Sequence, residues 1–109
     1  MIGRLWHRWT KRENGDRYEE FVRSKVLPSY YKIPGYKRAY FFRLEGQDKT
    51  EFVALTFFEN MQAVRRFAGE DYEAAVVPPE GRKLLSRFDQ KSRHYKIVSS
   101  PEWFDQPPW

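Results

Sequence analysis

The sequence contains no cysteine and only two histidines among its 109 residues. The absence of thiols excludes a disulfide framework, a cysteine nucleophile and any cysteine-ligated zinc or iron–sulfur site. No apolar stretch approaches the roughly 20 residues that a membrane-spanning helix needs. The first eight residues alternate in character and do not build the apolar core of a signal peptide. We therefore expect a cytoplasmic protein that does not associate with membranes.

Aromatic residues, by contrast, are abundant. Nine Phe, seven Tyr and four Trp make up 18% of a chain whose length suits one domain. Because so small a domain has little interior, the surplus indicates a lined pocket, a partner interface or a stacking platform for nucleic acid. The formal net charge of +5 permits nucleic-acid binding without selecting it.

Hydrophobic periodicity predicts the element order βαββαβ with one added helix before the last strand. The predicted strands are 2–10, 36–45, 50–58 and 91–98. In the first of them Ile2, Arg4, Trp6 and Arg8 share one face. Asn14 and Asn60 are predicted N-caps, Pro28 ends or kinks the first helix, and a third helix is expected over 79–88. The compact solution is an α+β, ferredoxin-like protomer, with a four-stranded antiparallel sheet and the helices on one face.

The third predicted strand carries apolar residues on both faces. Phe52, Ala54 and Phe58 alternate with Val53, Leu55 and Phe57. A sheet with one solvated face would alternate apolar and polar residues, so something covers the face that the helices leave open. A second copy of the chain and an RNA are the two alternatives. The RNA-recognition signature lacks its glycine here and meets an anion at Glu51, so we favour a homodimer and expect no nucleic-acid partner.

Several stretches also resemble a known family over residues 1–98. They are MIGRLWH (1–7), PGY (34–36), FVALTFFE (52–59), AVRRF (63–67), LLSRFD (84–89) and, most specifically, FAGEDYEAAVVPPE (67–80). With these stretches the sequence resembles the antibiotic biosynthesis monooxygenase-type domains of the dimeric α+β barrel superfamily. The resemblance implies a homodimer whose sheets form a barrel and a cleft between sheet and helices in each protomer.

Characterised members of that family include oxygenases that oxidise aromatic polyketides without metal or flavin, and haem-degrading enzymes. The haem-degrading members resemble one another in a first-strand Asn, a Trp near the second helix and a helical His, none of which is matched here. The resemblance therefore implies a monooxygenase without cofactor or metal that acts on an aromatic or polyketide-like, hydrophobic small molecule. The alternative is a non-catalytic small-molecule-binding or stress-associated dimeric module of the same fold.

His7 and His94 are the first candidate catalytic residues. The predicted strands place them nearly opposite each other, where a cross-strand imidazole pair could perform acid–base chemistry in a ring-lined cleft. The alternative is a structural pair held by hydrogen bonds, and a register slip of one residue would put the two rings on opposite faces. Tyr72 is the third candidate, because its phenol could project into the cleft; the alternative is a packing role.

Trp6 and Trp9 are candidates for lining a substrate pocket, and Arg66 is a candidate for steering an anionic substrate. Their alternatives are core packing and a solvated helix face. Residues 99–109 form a proline-containing tail after the domain of residues 1–98, with three large rings at Trp103, Phe104 and Trp109. Because disordered tails are usually poor in aromatics, we predict that this tail packs on its own domain or on the partner.

Overall fold

The computed structural model describes residues 1–101. The strands are β1 (Ile2–Lys11), β2 (Tyr36–Glu45), β3 (Lys49–Phe58), β4 (Leu85–Phe88) and β5 (Arg93–Lys96), and the α-helices are α1 (Gly15–Phe21), α2 (Met61–Ala68) and α3 (Pro79–Leu84). None of the helices in this part of the chain is long and apolar enough to cross a membrane. The aromatic tail falls largely beyond it, at residues 102–109, so the packing of Trp103, Phe104 and Trp109 stays a prediction.

The sheet is antiparallel with the order β2-β3-β1-β4, and β5 pairs with β1 as well. This order confirms the predicted ferredoxin-like α+β arrangement. The prediction of four strands was wrong, because two short strands follow one another along the open edge of β1. β4 pairs with Arg8–Thr10, and β5 pairs with Ile2–Leu5. The break between β4 and β5 determines which residues of β1 pair with each of the two strands.

The predicted third helix over 79–88 is also too long. The helix ends at Leu84, and Leu85–Phe88 forms β4, while the predicted last strand 91–98 is reduced to Arg93–Lys96. Apolar spacing over so short a run does not distinguish a helix from a strand. Residues 85–88 form a strand because the otherwise unpaired edge of β1 supplies backbone hydrogen-bond partners for an extended segment.

The first helix is irregular. A short 3₁₀ turn, Arg12–Asn14, precedes it, so Asn14 already has helical backbone angles and its side chain makes no capping hydrogen bond. The predicted Asn14 cap is therefore wrong. After α1 the chain continues through a π turn, Val22–Val26, and a 3₁₀ turn, Leu27–Lys32. The regular α-helix is thus interrupted ahead of Pro28, as predicted. Pro28 accounts for the interruption, since it has no backbone N–H and its ring crowds the preceding turn.

The second helix begins as predicted. The Asn60 Oδ1 accepts a hydrogen bond from the Ala63 backbone N–H at 3.0 Å. The turn that leads into β2 packs against this helix at Gly35, whose φ is +92° and whose missing Cβ would stand 2.6 Å from the Ala63 Cβ. Only glycine fits this position, because both its backbone conformation and the close approach exclude a side chain.

The sheet has an inner face, which packs on the helices, and an outer face, which does not. Phe52 and Phe58 of β3 are fully buried on the inner face, in two clusters with α1 and α2 respectively. The outer face carries Leu5, His7 and Trp9 of β1, Val53, Leu55 and Phe57 of β3, and Tyr40, Phe42 and Leu44 of β2. The predicted two-sided apolar pattern of β3 is thus confirmed.

Candidate ligand-binding cavity

A cavity of about 290 Å³ lies between the inner face of the sheet and the helical layer. Small-molecule sites begin at roughly 300 Å³, so this volume suits a small ligand. The sheet contributes Arg4, Trp6, Arg8, Ala54 and Thr56 to its wall. The other elements contribute four rings, those of Tyr18, Phe21, Tyr30 and Phe67, with the exposed Lys25 and Glu80 also on the lining.

Arg8 is the most enclosed charge in this cavity, with 3% of the residue exposed. Its Nε donates a hydrogen bond to the Tyr18 hydroxyl at 3.0 Å. Its guanidinium carbon lies 4.3 Å from the Trp6 ring centre and 4.8 Å from that of Phe41. Its Nη1 is buried and has no hydrogen-bond partner. Arg8 is therefore a cation held among aromatic faces, with donor capacity to spare.

Arg4 lies on the same face of β1, two residues beyond Trp6, and is 5% exposed. Its Nη2 donates to the backbone carbonyls of Tyr72 and Ala74, at 3.3 Å and 3.2 Å. Its guanidinium carbon lies 5.1 Å from the Phe67 ring centre, and its Nε is buried without a partner. The segment between α2 and α3 therefore orients this guanidinium through its backbone, while one N–H remains unused.

Within residues 1–101, neither Arg4 nor Arg8 forms an ion pair with a carboxylate. Burial lowers the pKa of Arg4 to about 10, and burial also lowers the pKa of Arg8. Guanidinium groups nonetheless stay protonated at neutral pH. The cavity wall therefore carries two buried positive charges that pair with no carboxylate of the described chain.

Arg43, at the edge of the same inner face, shows the contrary arrangement. Its Nη1 lies 2.9 Å from Asp16 Oδ1 and 2.8 Å from Glu19 Oε1, and its Nε donates to Glu45. The hydrogen bond to Glu19 is the largest of the interactions that raise the pKa of Arg43. The fold thus surrounds one inner-face arginine with three carboxylates and leaves the two arginines in the cavity with none.

The predicted pairing of the two histidines is wrong. His94 of β5 lies opposite Arg4, whereas His7 lies opposite Val53 of β3. Directly opposite residues share a face, so His94 faces inward with Arg4 and His7 faces outward. The cause is the division of the predicted last strand in two. Because β4 occupies the edge of β1 beside Arg8–Thr10, β5 pairs with the start of β1 instead.

Three of the predicted site residues, His7, Trp9 and Arg66, line neither the cavity nor the groove beside it. The His7 Nδ1 is 2.9 Å from Glu51 Oε2 on the outer face, and the His7 ring stacks on Trp9 with ring centres 6.2 Å apart. Arg66 is exposed on α2 and donates to the Pro34 carbonyl at 3.0 Å. Their participation in catalysis or substrate binding stays a prediction that this geometry does not favour.

Tyr72 and His94 lie together beside Arg4, on an open groove next to the cavity. Their rings meet edge to face with centres 5.3 Å apart, and the His94 Nε2 is buried without a partner. Burial lowers the pKa of His94, and the positive charge of Arg4 lowers it further. This imidazole is therefore neutral at pH 7 and able to accept a proton.

The sequence matches no protein-family model and no curated protein. Solved structures do match over nearly the whole chain. One is a Bacillus cereus protein provisionally assigned as an antibiotic biosynthesis monooxygenase, at TM-score 0.64 and 13% identity, covering 91% of this chain and 94% of that one. Another is SnoaB, a cofactor-independent oxygenase from Streptomyces nogalater, at TM-score 0.59 and 15% identity, covering 92% of this chain and 96% of that one. The chain has the antibiotic biosynthesis monooxygenase fold.

Within this antibiotic biosynthesis monooxygenase fold, Trp6 is the predicted binding residue that does lie in the cavity wall. Its Nε1 donates to the Asp89 carbonyl at 2.7 Å, which fixes the ring against Arg8. The sequence reasoning missed Arg4, Arg8, Tyr18 and Tyr30. The sequence did contain a signal for the two arginines. They lie on either side of Trp6 on one face of a central strand, where buried charged residues are uncommon. Among residues 1–101 no three His, Asp or Glu side chains cluster closely enough to hold a metal ion.

Proposed function

We propose that this protein is a cofactor-independent monooxygenase that oxidises an electron-rich aromatic or polyketide-like small molecule. The supporting observation is the ring-lined cavity in which Arg4 and Arg8 lie buried without a carboxylate partner. Such a cavity suits a substrate that becomes negatively charged during the reaction. The fold adds support, because one protein of similar structure is a cofactor-independent oxygenase.

The proposed reaction converts an activated methylene of the substrate, or the ring C–H that becomes a methylene in the keto tautomer of a phenol, into a carbonyl. Loss of one proton gives a resonance-stabilised carbanion, which transfers electrons to dioxygen and combines with it as a hydroperoxide. The hydroperoxide then loses water, so one oxygen atom stays in the product and the other leaves with the two hydrogens of the methylene. The substrate supplies all the electrons, and the balance needs no external reductant.

The arginines would stabilise the anion. A buried guanidinium beside an acidic group favours its charged form, and the effect is strong where water is excluded. Arg8 suits this role best, because its Nη1 is unused by the protein and Tyr18 holds its Nε. Trp6 and the opposing rings would keep the substrate anion out of water.

His94 is the proton acceptor that we propose, with Tyr72 packed against it. Both adjoin Arg4, and the unpartnered Nε2 of His94 belongs to a neutral imidazole. His7 lies on the outer face with Glu51, and the proposed reaction does not use it.

Oxygen uptake tests the proposal. Wild-type protein should consume oxygen with anthrones and substituted hydroquinones faster than buffer does. Arg8→Met should lower kcat/KM by about a hundredfold, the usual cost of removing one group that stabilises a transition-state anion. His94→Gln should also lower the rate. Arg87→Met removes an exposed arginine from the outer face and should leave the rate unchanged.

The second candidate is a non-catalytic small-molecule-binding module, which the same cavity would serve. It would replace the monooxygenase if ligands that bind in the cavity, with Arg8-dependent affinity, cause no oxygen uptake above the background rate. For either function we propose a cytoplasmic location.

We also propose that the protein is a homodimer that buries the outer face. Tyr40, Phe42 and Leu44 follow one another along β2 and are 47%, 51% and 65% exposed. They adjoin Val53, Leu55 and Phe57 of β3. A contiguous apolar sheet face of this kind marks a partner interface, and a second copy would cover it by sheet-on-sheet packing.

Solution mass tests the dimer. Light scattering should give twice the chain mass for the wild type, and Phe42→Glu should give the single mass. Tyr31→Glu introduces the same charge at a ring that is 82% exposed but lies on the helical side, and it should remain dimeric. A monomeric wild type would contradict the proposal.

A further inference from the structure

The cavity carries a charge imbalance that identifies the kind of ligand it takes. We propose that this ligand is a small hydroxylated aromatic acid, bound with its carboxylate against Arg4 and Arg8 and its ring among the aromatic side chains. The inference rests on the proposed function only in assigning the substrate to this cavity, because binding itself requires no oxygen chemistry.

The first argument is the uncompensated charge. A charge removed from water is strongly unfavourable unless a partner replaces the lost hydration. Arg8 and Arg4 are 3% and 5% exposed, and each keeps one buried N–H without a partner. Glu80, the carboxylate on the cavity lining, is exposed and forms no ion pair with either. A carboxylate from the ligand would supply the missing acceptor for both arginines.

The surrounding rings do not remove this need. Cation–π contacts of Arg8 with Trp6 and Phe41 use the face of the guanidinium. Its unused Nη1–H lies in the guanidinium plane and still lacks an acceptor. In-plane N–H groups bind carboxylate oxygens in the plane. The rings therefore do not supply the in-plane acceptor that Arg8 lacks.

The shape and chemistry of the wall select an aromatic acid over an inorganic anion. Tyr18, Phe21, Tyr30 and Phe67 present apolar ring surface, and the volume of about 290 Å³ is many times that of one water. Phosphate or sulfate alone would leave most of this apolar surface uncovered. A planar ring fits such a wall, because aromatic rings pack on one another with offset or edge contacts.

The charge balance also favours a hydroxyl on the ring. One carboxylate neutralises one of the two guanidinium groups and leaves one positive charge. That remaining charge would stabilise the second anion, which forms when the electron-rich ring loses a proton in the proposed reaction. A hydroxylated aromatic acid supplies both charges from one molecule.

Calorimetric titration tests the inference with the probes 1-hydroxy-2-naphthoate and 1-hydroxy-2-naphthamide, which differ chiefly in the charge of one group. The acid should bind wild-type protein at least about tenfold more tightly than the amide, since charge-assisted hydrogen bonds are roughly twice as strong as neutral ones. Arg8→Met and Arg4→Met should each abolish most of that preference while retaining amide binding. Arg87→Met, which removes an arginine 4.5 Å from the Trp9 ring on the outer face, should retain the preference.

Three results would overturn the inference: equal affinity for acid and amide, an acid preference that survives both cavity substitutions, and binding of inorganic phosphate as tight as that of the acid. Circular dichroism verifies the fold of each variant. Arg8→Lys provides a second substitution if Arg8→Met does not fold, and it should retain affinity for the acid but with a smaller preference.

Oxygen uptake on the same samples separates this inference from the proposed function. An Arg8-dependent acid preference without oxygen uptake supports the ligand class and overturns the monooxygenase. Equal kcat/KM for neutral hydroquinones and for the acid overturns the ligand class and supports the monooxygenase.

Discussion

Each face of the sheet presents an arginine over a tryptophan, and the two pairs behave differently. On the inner face the Arg8 guanidinium lies 4.3 Å from the Trp6 ring centre and is buried. On the outer face that of Arg87 lies 4.5 Å from the Trp9 ring centre and is exposed. The exposed cation keeps its water, whereas the buried one has lost it. Burial, and not the residue types, distinguishes the inner pair, which we propose as part of a ligand site.

The carboxylates that form ion pairs lie away from the two buried arginines. On the outer face Glu51 pairs with His7, and at the inner edge three carboxylates surround Arg43. Within residues 1–101, no carboxylate pairs with the two arginines of the cavity, and Glu80 on its lining is exposed. The sheet thus has one face whose exposed rings suit a second copy of the chain and one face whose buried cations suit an anionic ligand.

The largest expected effect compares the two faces directly. Phe52→Ala removes a fully buried inner ring and should lower the free energy of unfolding by about 3–5 kcal/mol. Phe42→Ala removes a half-exposed outer ring and should lower the free energy of unfolding of the single chain by less than about 1 kcal/mol. Denaturant titrations at two protein concentrations separate folding from assembly, and equal losses for the two variants would contradict the distinction between the faces.

The next effect has the opposite sign. Arg8→Met should stabilise the ligand-free protein by about 1 kcal/mol or more, because an uncompensated buried charge is replaced by an apolar side chain of similar length. Arg87→Met should change the free energy of unfolding by less than about 0.5 kcal/mol. Urea unfolding without ligand measures both, and a large destabilisation by Arg8→Met would show that the protein itself compensates this charge.

A smaller effect concerns the ion pair on the outer face. The His7 and Glu51 side chains are 38% and 27% exposed, so water and salt screen their interaction. Glu51→Gln should therefore lower the free energy of unfolding by less than about 1 kcal/mol. The same measurement in high salt should reduce the difference from wild type, and a loss that is larger and independent of salt would indicate a buried role for the pair.

The smallest effect is a pH dependence at His94. Its pKa is lowered from 6.5 in the folded protein by burial and by Arg4. Below pH 6.5 the histidine of the unfolded chain binds a proton more readily than that of the folded chain. The contribution of His94 to the free energy of unfolding is therefore complete above pH 6.5 and decreases as the pH falls below it. His94→Gln should weaken the decline in unfolding free energy between pH 7.5 and 5.5. The outer-face variant His7→Gln is the control, and an unchanged slope in His94→Gln would count against the assignment.

Local patterns account for what could be predicted. The alternation of β1 and β3, the Asn60 cap and the Pro28 kink depend on neighbouring residues and were confirmed. Long-range pairing was not predictable in the same way. The division of the last strand into β4 and β5 depends on the edge of β1, and the position of His94 opposite Arg4 follows from that division.

The sequence by itself determined the order of elements as far as the start of the third helix. It also determined the two-sided apolar pattern of β3 and the grouping of Arg4, Trp6 and Arg8 on one face, because the two-residue period of a strand requires no knowledge of its partners. Only the tertiary structure decided which face the helices cover. That choice buries the arginines and leaves the His7–Glu51 pair partly exposed. The pairing of β5 with the start of β1, also a tertiary contact, separates His94 from His7. The physical reason is that hydration is lost only where distant segments pack together.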